Sequence, residues 1–342
     1  MRRVTVAIAT PLEDELVDRI RRVDERLDVL FEPDLLPPPR YPSDHGGQPG
    51  FTRTPEQEQR FTRLVAGAEV ALGFPSESPT GLAWLVRTAP GLRFVQCMYA
   101  GAGQQVHAAN LTAEELDRVA FASSSGVHAV PLAEWSLFGI LALTKGLPRL
   151  LRDKRERRWD HYPLNELPGR TLLVVGLGEI GREVARLAQA FGMRVLAVRR
   201  TADGTAFGPE RLDELVAEAD AVVVTLPLTD ETRGLIGRDT IARMRDGAIL
   251  VNVGRGAVVD EEALVEALAS GKLAGAALDV FAEEPLPAES PLWELENVII
   301  SPHTAALSVR ENERIVDLFA ENLCRYLRGD ELRSRIRTSV FY

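Results

Sequence analysis

The sequence predicts an α/β protein of two domains, each built around a mainly parallel sheet. Its 342 residues suffice for two apolar cores, since domains commonly have roughly 100–200 residues. Short β-branched runs alternate with amphipathic segments of helical period, a pattern typical of parallel strands joined by crossover helices. A glycine-rich turn lies near residue 176, so another domain of about 125 residues is expected to precede the unit that contains it.

The first half of the chain is predicted to contain four strands, at 4–9, 28–31, 69–73 and 93–97. Pro11 is expected to open the first helix, with acidic residues in its first turn facing the positive end of the helix dipole. The segment 33–55 interrupts the pattern, because its prolines and glycines exclude a helix or a central strand. We expect a surface loop there, loosely ordered rather than covering a site.

The second half shows the alternation more clearly. Asp260 is predicted to cap a helix that Gly271 terminates. A last helix is expected from about 307 to 342. The predicted strands are 171–175, 194–198, 221–226, 248–253, 275–280 and 298–301, and the predicted helices are 179–191, 209–218, 238–244 and 261–269.

Composition excludes several classes of protein. Forty Lys and Arg against fifty Asp and Glu give a net charge of −10, which disfavours binding to nucleic acid. No apolar run approaches the length of a membrane span, so no membrane partner is expected. Two cysteines, Cys97 and Cys324, cannot form a disulfide framework, and a cytoplasmic location is therefore expected. No histidine cluster predicts a metal site.

The sequence Gly176-Leu177-Gly178-Glu179-Ile180-Gly181 is a G-x-G-x-x-G motif in its proper context. It follows an apolar strand and opens a helix. The first glycine makes the tight turn, the second admits a pyrophosphate to the backbone, and the third lets helix and strand pack closely. Dinucleotide binding is therefore predicted.

The end of the next strand bears on the choice of dinucleotide. NAD-binding folds place an acidic residue about 20 residues after the motif, to bind the ribose hydroxyls. Arg199, Arg200 and Thr201 stand there instead. Because arginine can bind a 2′-phosphate through two hydrogen bonds, NADP is favoured over NAD. The alternative, that both arginines are exposed and bind no ligand, stays open.

Three further segments carry candidate catalytic groups. Arg255 lies in a glycine-flanked turn after a predicted strand, where it could bind a carboxylate with two parallel hydrogen bonds. Asp279 precedes the pair Glu283-Glu284. His303 follows the last predicted strand, and a histidine with a carboxylate partner is a common acid–base device near neutral pH.

In this order and spacing, the segments resemble the D-isomer-specific 2-hydroxyacid dehydrogenase family, and motifs match from about Gly91 to His303. The resemblance implies that Arg255 holds the substrate carboxylate and carbonyl, and that His303, paired with Glu284, exchanges the proton. It further implies substrate contacts from the backbone of Ala100, Gly101 and Ala102, and cofactor contacts from Leu226, Pro227 and Asp279. Tyr99 is a further candidate for the substrate pocket, with a place in the core as the alternative, and Val253 and Gly254 are candidates for cofactor contacts.

The resemblance also implies an architecture and an activity. We expect a flavodoxin-like substrate domain of residues 1–126 with 307–342, a Rossmann domain of residues 127–306, and a cleft between them. A homodimer is expected, with the helix at 131–147 at its interface. Because the chain ends at 342 without a regulatory domain, we expect the short glyoxylate/hydroxypyruvate reductase type, an oxidoreductase acting on small 2-oxo or D-2-hydroxy acids.

Two other functions occur on the same fold. A dinucleotide-responsive binding protein of the same fold, similar to the C-terminal-binding corepressors, should have lost Arg255, Glu284 or His303. A formate-dehydrogenase-like enzyme would lack the His–Glu pair. All three residues are present. The chain departs from the family pattern at Arg199, at Gln104-Gln105, and after His303, where Thr-Ala-Ala-Leu lacks the glycine often seen there.

Overall fold

The computed structural model describes residues 2–339 and 341. By their internal contacts the residues divide into two compact units. Unit 1 comprises Met1–Val127 with Leu307–Tyr342, and unit 2 comprises His128–Ala306. All strand pairs within the two sheets are parallel, which confirms the predicted α/β class.

Among the described residues, the strands are β1 (Val4–Ile8), β2 (Leu27–Leu30), β3 (Val70–Leu72), β4 (Phe94–Gln96), β5 (Ala120–Ala122), β6 (Thr171–Val175), β7 (Arg194–Val198), β8 (Ala221–Val224), β9 (Ala248–Asn252), β10 (Leu273–Leu278) and β11 (Val298–Ile300). The α-helices are α1 (Asp14–Arg21), α2 (Pro55–Ala66), α3 (Pro79–Thr88), α4 (Ala102–Ala108), α5 (Ala113–Arg118), α6 (Ala129–Thr144), α7 (Leu147–Glu156), α8 (Glu179–Ala190), α9 (Leu212–Glu218), α10 (Arg238–Arg243), α11 (Glu261–Ala269) and α12 (Glu311–Arg328).

Unit 1 has a five-stranded sheet in the order β2-β1-β3-β4-β5, the flavodoxin-like order. One face packs on α1 and α12, and Phe94 and Phe319 lie in that core. The other face packs on α2 and α3 around Phe61 and Phe74. Asn322 of α12 donates to Oε1 of buried Gln96 at 2.9 Å, so the returning C-terminal helix is tied to β4.

Unit 2 has a six-stranded sheet in the order β11-β10-β9-β8-β6-β7. Every residue of β6, β8 and β9 is buried, as expected for strands covered on both faces. Helices α9, α10 and α11 contribute to the core on one face, and α6 and α8 to the core on the other. The strand order reverses between β6 and β8, and ligands bind at such switch points outside the carboxyl ends of the strands.

Local signals placed many element ends correctly. Thr171–Val175 and Arg194–Val198 have the predicted bounds, and Asp260 caps α11 by accepting from the Ala263 amide at 3.0 Å. Gly271 follows α11 with a φ of +77°. The first helix begins at Asp14, three residues after Pro11, with Glu13 at the N-cap.

Two expectations were wrong. The last helix ends at Arg328 rather than continuing through 342, because Gly329 adopts a left-handed conformation. The segment 33–55 is not a loosely attached loop. It contains a 3-10 helix, Pro33–Leu35, and buries Leu35 and Leu36 in the core of unit 1 as well as polar residues nearer its tip. Pattern alone missed this, because the buried residues are scattered among prolines and glycines.

Helices α6 and α7 follow one another in unit 2 and meet at Gly146. Helix α6 buries Ser136 and Gly139 along with its apolar residues. No single helix of the described residues is long and apolar enough to cross a membrane. Taken together, α6 and α7 have the length and apolar composition of a membrane span, but the two helices are bent by 58° at the break between them.

Candidate active site

The glycine motif forms the turn between β6 and α8. Gly176 has a φ of +107°, and a Cβ there would lie 2.8 Å from the Thr225 hydroxyl. A Cβ on Gly181 would lie 2.0 Å from the Gly176 carbonyl oxygen, whereas one on Gly178 would meet nothing within 4 Å. The first and third glycines therefore permit close packing, and the second leaves open space at the start of a twelve-residue helix. This geometry fits a bound pyrophosphate.

The loop after β8 lies beside this turn. The Thr225 hydroxyl donates to the Gly176 carbonyl at 2.6 Å. Gly254, after β9, packs so closely that a Cβ would lie 2.5 Å from the Leu226 carbonyl oxygen. Val253 is buried and Pro227 is exposed. Three strand ends thus bring the predicted cofactor-contacting segments together at the carboxyl edge of the sheet.

Asp203, shortly after the end of β7, is a carboxylate that counting about 20 residues from the glycine motif does not find. Arg199 forms an ion pair with Asp203, which a tight turn returns toward the strand. Oδ1 of Asp203 also accepts from the Thr205 amide and hydroxyl, at 2.9 and 2.6 Å. Arg200 is exposed and makes no hydrogen bond or ion pair with the described residues. The two arginines therefore differ: Arg199 is already paired, and Arg200 is available to a ligand.

Arg255 lies in the turn after β9. The Asn252 side chain spans this turn, accepting from the Gly254 amide at 3.0 Å and donating to the Arg255 carbonyl at 3.1 Å. A Cβ on Gly256 would lie 1.8 Å from the Phe281 carbonyl carbon, so only glycine allows the turn to approach Phe281 and Ala282 this closely. The Arg255 guanidinium is exposed, and one nitrogen donates to the Gly254 carbonyl at 2.7 Å.

His303 and Glu284 form a hydrogen-bonded pair. His303 Nδ1 lies 2.7 Å from Glu284 Oε2, while Glu284 Oε1 accepts from the Phe281 amide at 3.0 Å. The His303 side chain is 45% exposed, and its Nε2 makes no hydrogen bond with the described residues. Burial opposes ionisation of Glu284, but hydrogen bonds from His303 and Phe281 and the charges of His303 and Arg255 outweigh it and lower the pKa of this carboxyl. Glu284, not Glu283, is therefore the partner of His303.

Asp279 anchors the histidine loop. The residue is 1% exposed, and its Oδ1 accepts from the Ser301 hydroxyl at 2.6 Å and from the Thr304 and Ala305 amides at 2.9 Å each. The His303 amide donates to the Asp279 carbonyl at 2.9 Å, and His303 has a φ of +53°. These contacts hold a strained backbone in place, which sequence reasoning did not anticipate.

The predicted substrate loop, Tyr99, Ala100, Gly101 and Ala102, belongs to unit 1. It follows β4 at the carboxyl edge of that sheet, and Gly101 precedes α4. Tyr99 is 36% exposed, and its carbonyl accepts from the Ser124 amide at 3.1 Å. Its role in substrate binding stays a prediction.

Comparison with known proteins gives a consistent assignment. The family model for the NAD binding domain of D-isomer specific 2-hydroxyacid dehydrogenases matches residues 137–305. A glyoxylate reductase from Korarchaeum cryptofilum is 40% identical over 219 residues, which are 61% of this chain and 66% of that protein. The match thus spans less than two thirds of this relative's length. An (S)-sulfolactate dehydrogenase from Chromohalobacter salexigens is 39% identical over 221 residues, which are 61% of this chain and 70% of that protein.

A solved structure extends the likeness to the whole chain. The D-isomer specific 2-hydroxyacid dehydrogenase from Xanthobacter autotrophicus, solved in complex with NADPH and MES, is 28% identical. It covers 98% of this chain and 100% of its own, with a TM-score of 0.74. Together with the glycine turn and the His303–Glu284 pair, these matches show that the chain belongs to the D-isomer specific 2-hydroxyacid dehydrogenase family.

Proposed function

We propose that this protein transfers a hydride between a nicotinamide dinucleotide and a small 2-oxo or D-2-hydroxy acid, such as glyoxylate or hydroxypyruvate. The observation that carries the proposal is the His303–Glu284 pair, in which Nδ1 is occupied by a carboxylate and Nε2 is left for a ligand. Orientation of one ring nitrogen by a carboxylate is the usual arrangement of an acid–base histidine.

The residues of unit 2 have complementary roles in this reaction. When bound, the reduced nicotinamide supplies the hydride that C2 of the oxo acid receives. The carbonyl oxygen gains negative charge at that moment, so a cation and a proton donor must face it. Arg255 serves as the cation and also binds the substrate carboxylate. His303 donates the proton through Nε2, and Glu284 orients the ring by its contact with Nδ1.

The cofactor is proposed to be NADP in preference to NAD. Gly176, Gly178 and Gly181 would hold the pyrophosphate against the first amides of α8, with Glu179 and Ile180 in the same turn. Arg200, with Arg199 and Thr201 beside it, would hold the 2′-phosphate. The NADPH complex of the Xanthobacter relative supports this choice. Asp203 opposes it in part, because it already neutralises Arg199.

Other features of the proposal come from the family resemblance. Residues 1–126 with 307–342 would form the substrate domain, and 127–306 the cofactor domain. Backbone amides of Ala100, Gly101 and Ala102 would bind the substrate carboxylate. A homodimer and a cytoplasmic location are part of the same proposal.

A cofactor and substrate screen tests the function. Oxidation of NADPH and of NADH is followed with a panel of small 2-oxo acids, and turnover that requires both an oxo acid and a reduced dinucleotide is expected. Binding of NADPH is measured in parallel by fluorescence. Binding without turnover of any oxo acid would contradict the enzyme assignment and favour a dinucleotide-responsive binding protein.

A further inference from the structure

The loop 301–305, which carries His303, is closed by a single carboxylate oxygen. Oδ1 of Asp279 accepts from the Ser301 hydroxyl, before His303, at 2.6 Å. The same oxygen accepts from the Thr304 and Ala305 amides, after His303, at 2.9 Å each. The hydroxyl contact is the shortest of the three and has the length expected of a charge-assisted O–H···O hydrogen bond. Both ends of the loop are therefore fixed to one atom.

The register of two neighbouring strands places this serine beside the aspartate. In the parallel pair β10 and β11, Leu278 lies opposite Ile300. The next residues along the chain, Asp279 and Ser301, therefore follow the two strand ends side by side. The Ser301 amide donates to the Leu278 carbonyl at 3.0 Å, which continues the hydrogen bonding between the strands by one step. Position along the strands thus brings the hydroxyl to the carboxylate.

Between these contacts, His303 has a left-handed backbone conformation. Its φ is +53°, which is unfavourable for residues other than glycine and persists only where surrounding contacts hold it. The His303 amide donates to the Asp279 carbonyl at 2.9 Å and to the Ser301 carbonyl at 3.0 Å. The backbone sets the direction of the Cα–Cβ bond. The contacts that hold the loop therefore also direct the imidazole to Glu284, whose Oε2 lies 2.7 Å from Nδ1.

The Ser301 hydroxyl supports the loop and has no other assigned role. Within the part of the chain that the structure describes, its one hydrogen bond is the one to Asp279. Ser301 is half-buried, and Pro302 separates it from His303 in the chain. Removing this hydroxyl leaves every reacting group present and changes only how the loop is held. Asp279 is less suited to a test, because a cofactor contact is also predicted for it.

From these contacts we propose that Ser301 is a positioning residue for the acid–base histidine. By holding Oδ1 of Asp279, the Ser301 hydroxyl keeps the loop in the conformation that places His303 Nδ1 on Glu284 and leaves Nε2 for the substrate. The inference rests on the proposed function and deepens it, because it names what keeps the proton donor in place. Misplacement of a reacting group by about 1 Å can lower a rate about 100-fold.

The test removes the hydroxyl and then restores it. Oxidation of NADPH by the best oxo acid of the substrate screen is followed in a single turnover, so that product release does not enter the rate. Ser301→Ala should lower this rate about 10- to 100-fold. The KM for the oxo acid and the binding of NADPH should change little, because Asn252 holds the Arg255 turn separately. Ser301→Thr keeps a hydroxyl at this position and should recover most of the rate.

The pH profile separates positioning from folding. Burial alone would raise the pKa of the Glu284 carboxyl. Hydrogen bonds from His303 and the Phe281 amide, with the charges of His303 and Arg255, outweigh burial and lower this pKa. A displaced His303 loses its share of that effect, so the pKa of Glu284 should rise in Ser301→Ala. The acidic limb of kcat/KM should then move to higher pH, whereas a smaller amount of folded enzyme would lower the rate without moving the limb.

A second serine of unit 2 provides the matched control. Ser270 directly follows α11 and is exposed, and its hydroxyl donates to the Ala267 carbonyl at 3.3 Å. Ser270→Ala removes the same group from a helix end and should leave the single-turnover rate and the acidic limb unchanged. Thermal unfolding of each variant reports whether unit 2 stays folded.

The outcomes distinguish this inference from the function on which it rests. If the wild type reduces an oxo acid and Ser301→Ala does so at the same single-turnover rate, the hydroxyl does not position His303. The same holds if Ser301→Thr fails to restore the rate, if the loss appears in NADPH binding or in KM, or if the acidic limb does not move. If the wild type reduces no oxo acid with either dinucleotide, the proposed function fails and the inference fails with it.

Discussion

Replacement of Glu77 by glutamine tests the electrostatics of unit 1. Glu77 lies in the turn after β3, where Ser76 and Glu77 have φ values of +56° and +45°, and it is 6% exposed. Oε1 accepts from the Phe74 amide at 3.2 Å, whereas Oε2 has no partner among the described residues. Burial raises the pKa of Glu77 to about 8. The carboxyl group is therefore neutral in the folded protein near pH 7 and ionised in the unfolded chain.

The expected stabilisation depends on pH. A raised carboxyl pKa means that the folded state binds the proton more tightly than the unfolded state, so the stability of the protein falls as pH rises between the two pKa values. With values of about 8 folded and 4.5 unfolded, holding the proton costs about 3 kcal/mol near pH 7 and about 1 kcal/mol near pH 5. Glu77→Gln removes this cost and keeps the acceptor for Phe74. The variant should gain about 2 kcal/mol more at pH 7 than at pH 5.

Urea unfolding of wild type and variant at both pH values measures this difference. Glu114→Gln, at an exposed glutamate of α5, is the matched control and should show no such pH dependence. Equal changes in the free energy of unfolding at pH 5 and pH 7 would refute the reasoning, because they would mean that Glu77 has the same pKa in both states.

The remaining predictions concern the reaction and are read from steady-state kinetics. His303→Ala should lower kcat about 10²–10⁴-fold while NADPH binding persists, since a general acid is lost; exposed His161→Ala is the control, and near-normal turnover would remove His303 from the mechanism. Arg255→Lys should raise KM for the oxo acid, because lysine cannot make the two-pronged contact; an unchanged kcat/KM would exclude that contact. The pKa of Glu284 is lowered, so its carboxylate is protonated only below its usual pH range; reductase kcat/KM should therefore show an acidic step there in wild type that Glu284→Gln lacks; the same acidic limb in both enzymes would exclude Glu284 as the partner. Arg200→Ala should reduce a preference for NADPH about tenfold or more, less so at high salt; a wild-type preference for NADH would show that the arginines do not bind a 2′-phosphate.

Much of unit 2 could be read from the sequence because its signals are local. A strand buried on both faces needs a continuous apolar run, and Thr171–Val175 is one. The glycines of the motif from Gly176 to Gly181 are required by local geometry, since a Cβ at the first or third glycine would collide with neighbouring atoms. Asp260 caps α11 through an amide three residues away. Each of these features depends on atoms within a few residues of one another, or on burial that every residue of the strand shares.

The partners of polar groups were decided by tertiary structure. Glu283 and Glu284 are adjacent in sequence, and only the turn after β10 determines which of them meets His303, 19 residues away. A turn after β7 brings Asp203 back to Arg199, and counting about 20 residues from the glycine motif does not find this carboxylate. The Asp279 carboxylate accepts hydrogen bonds from residues 22 to 26 positions further along the chain. His45 meets Asn312 across 267 residues. A buried polar group needs a hydrogen-bond partner, and residue type and periodicity can indicate which groups are buried. They do not identify the partner, because it depends on how strands, turns and returning helices come together in space.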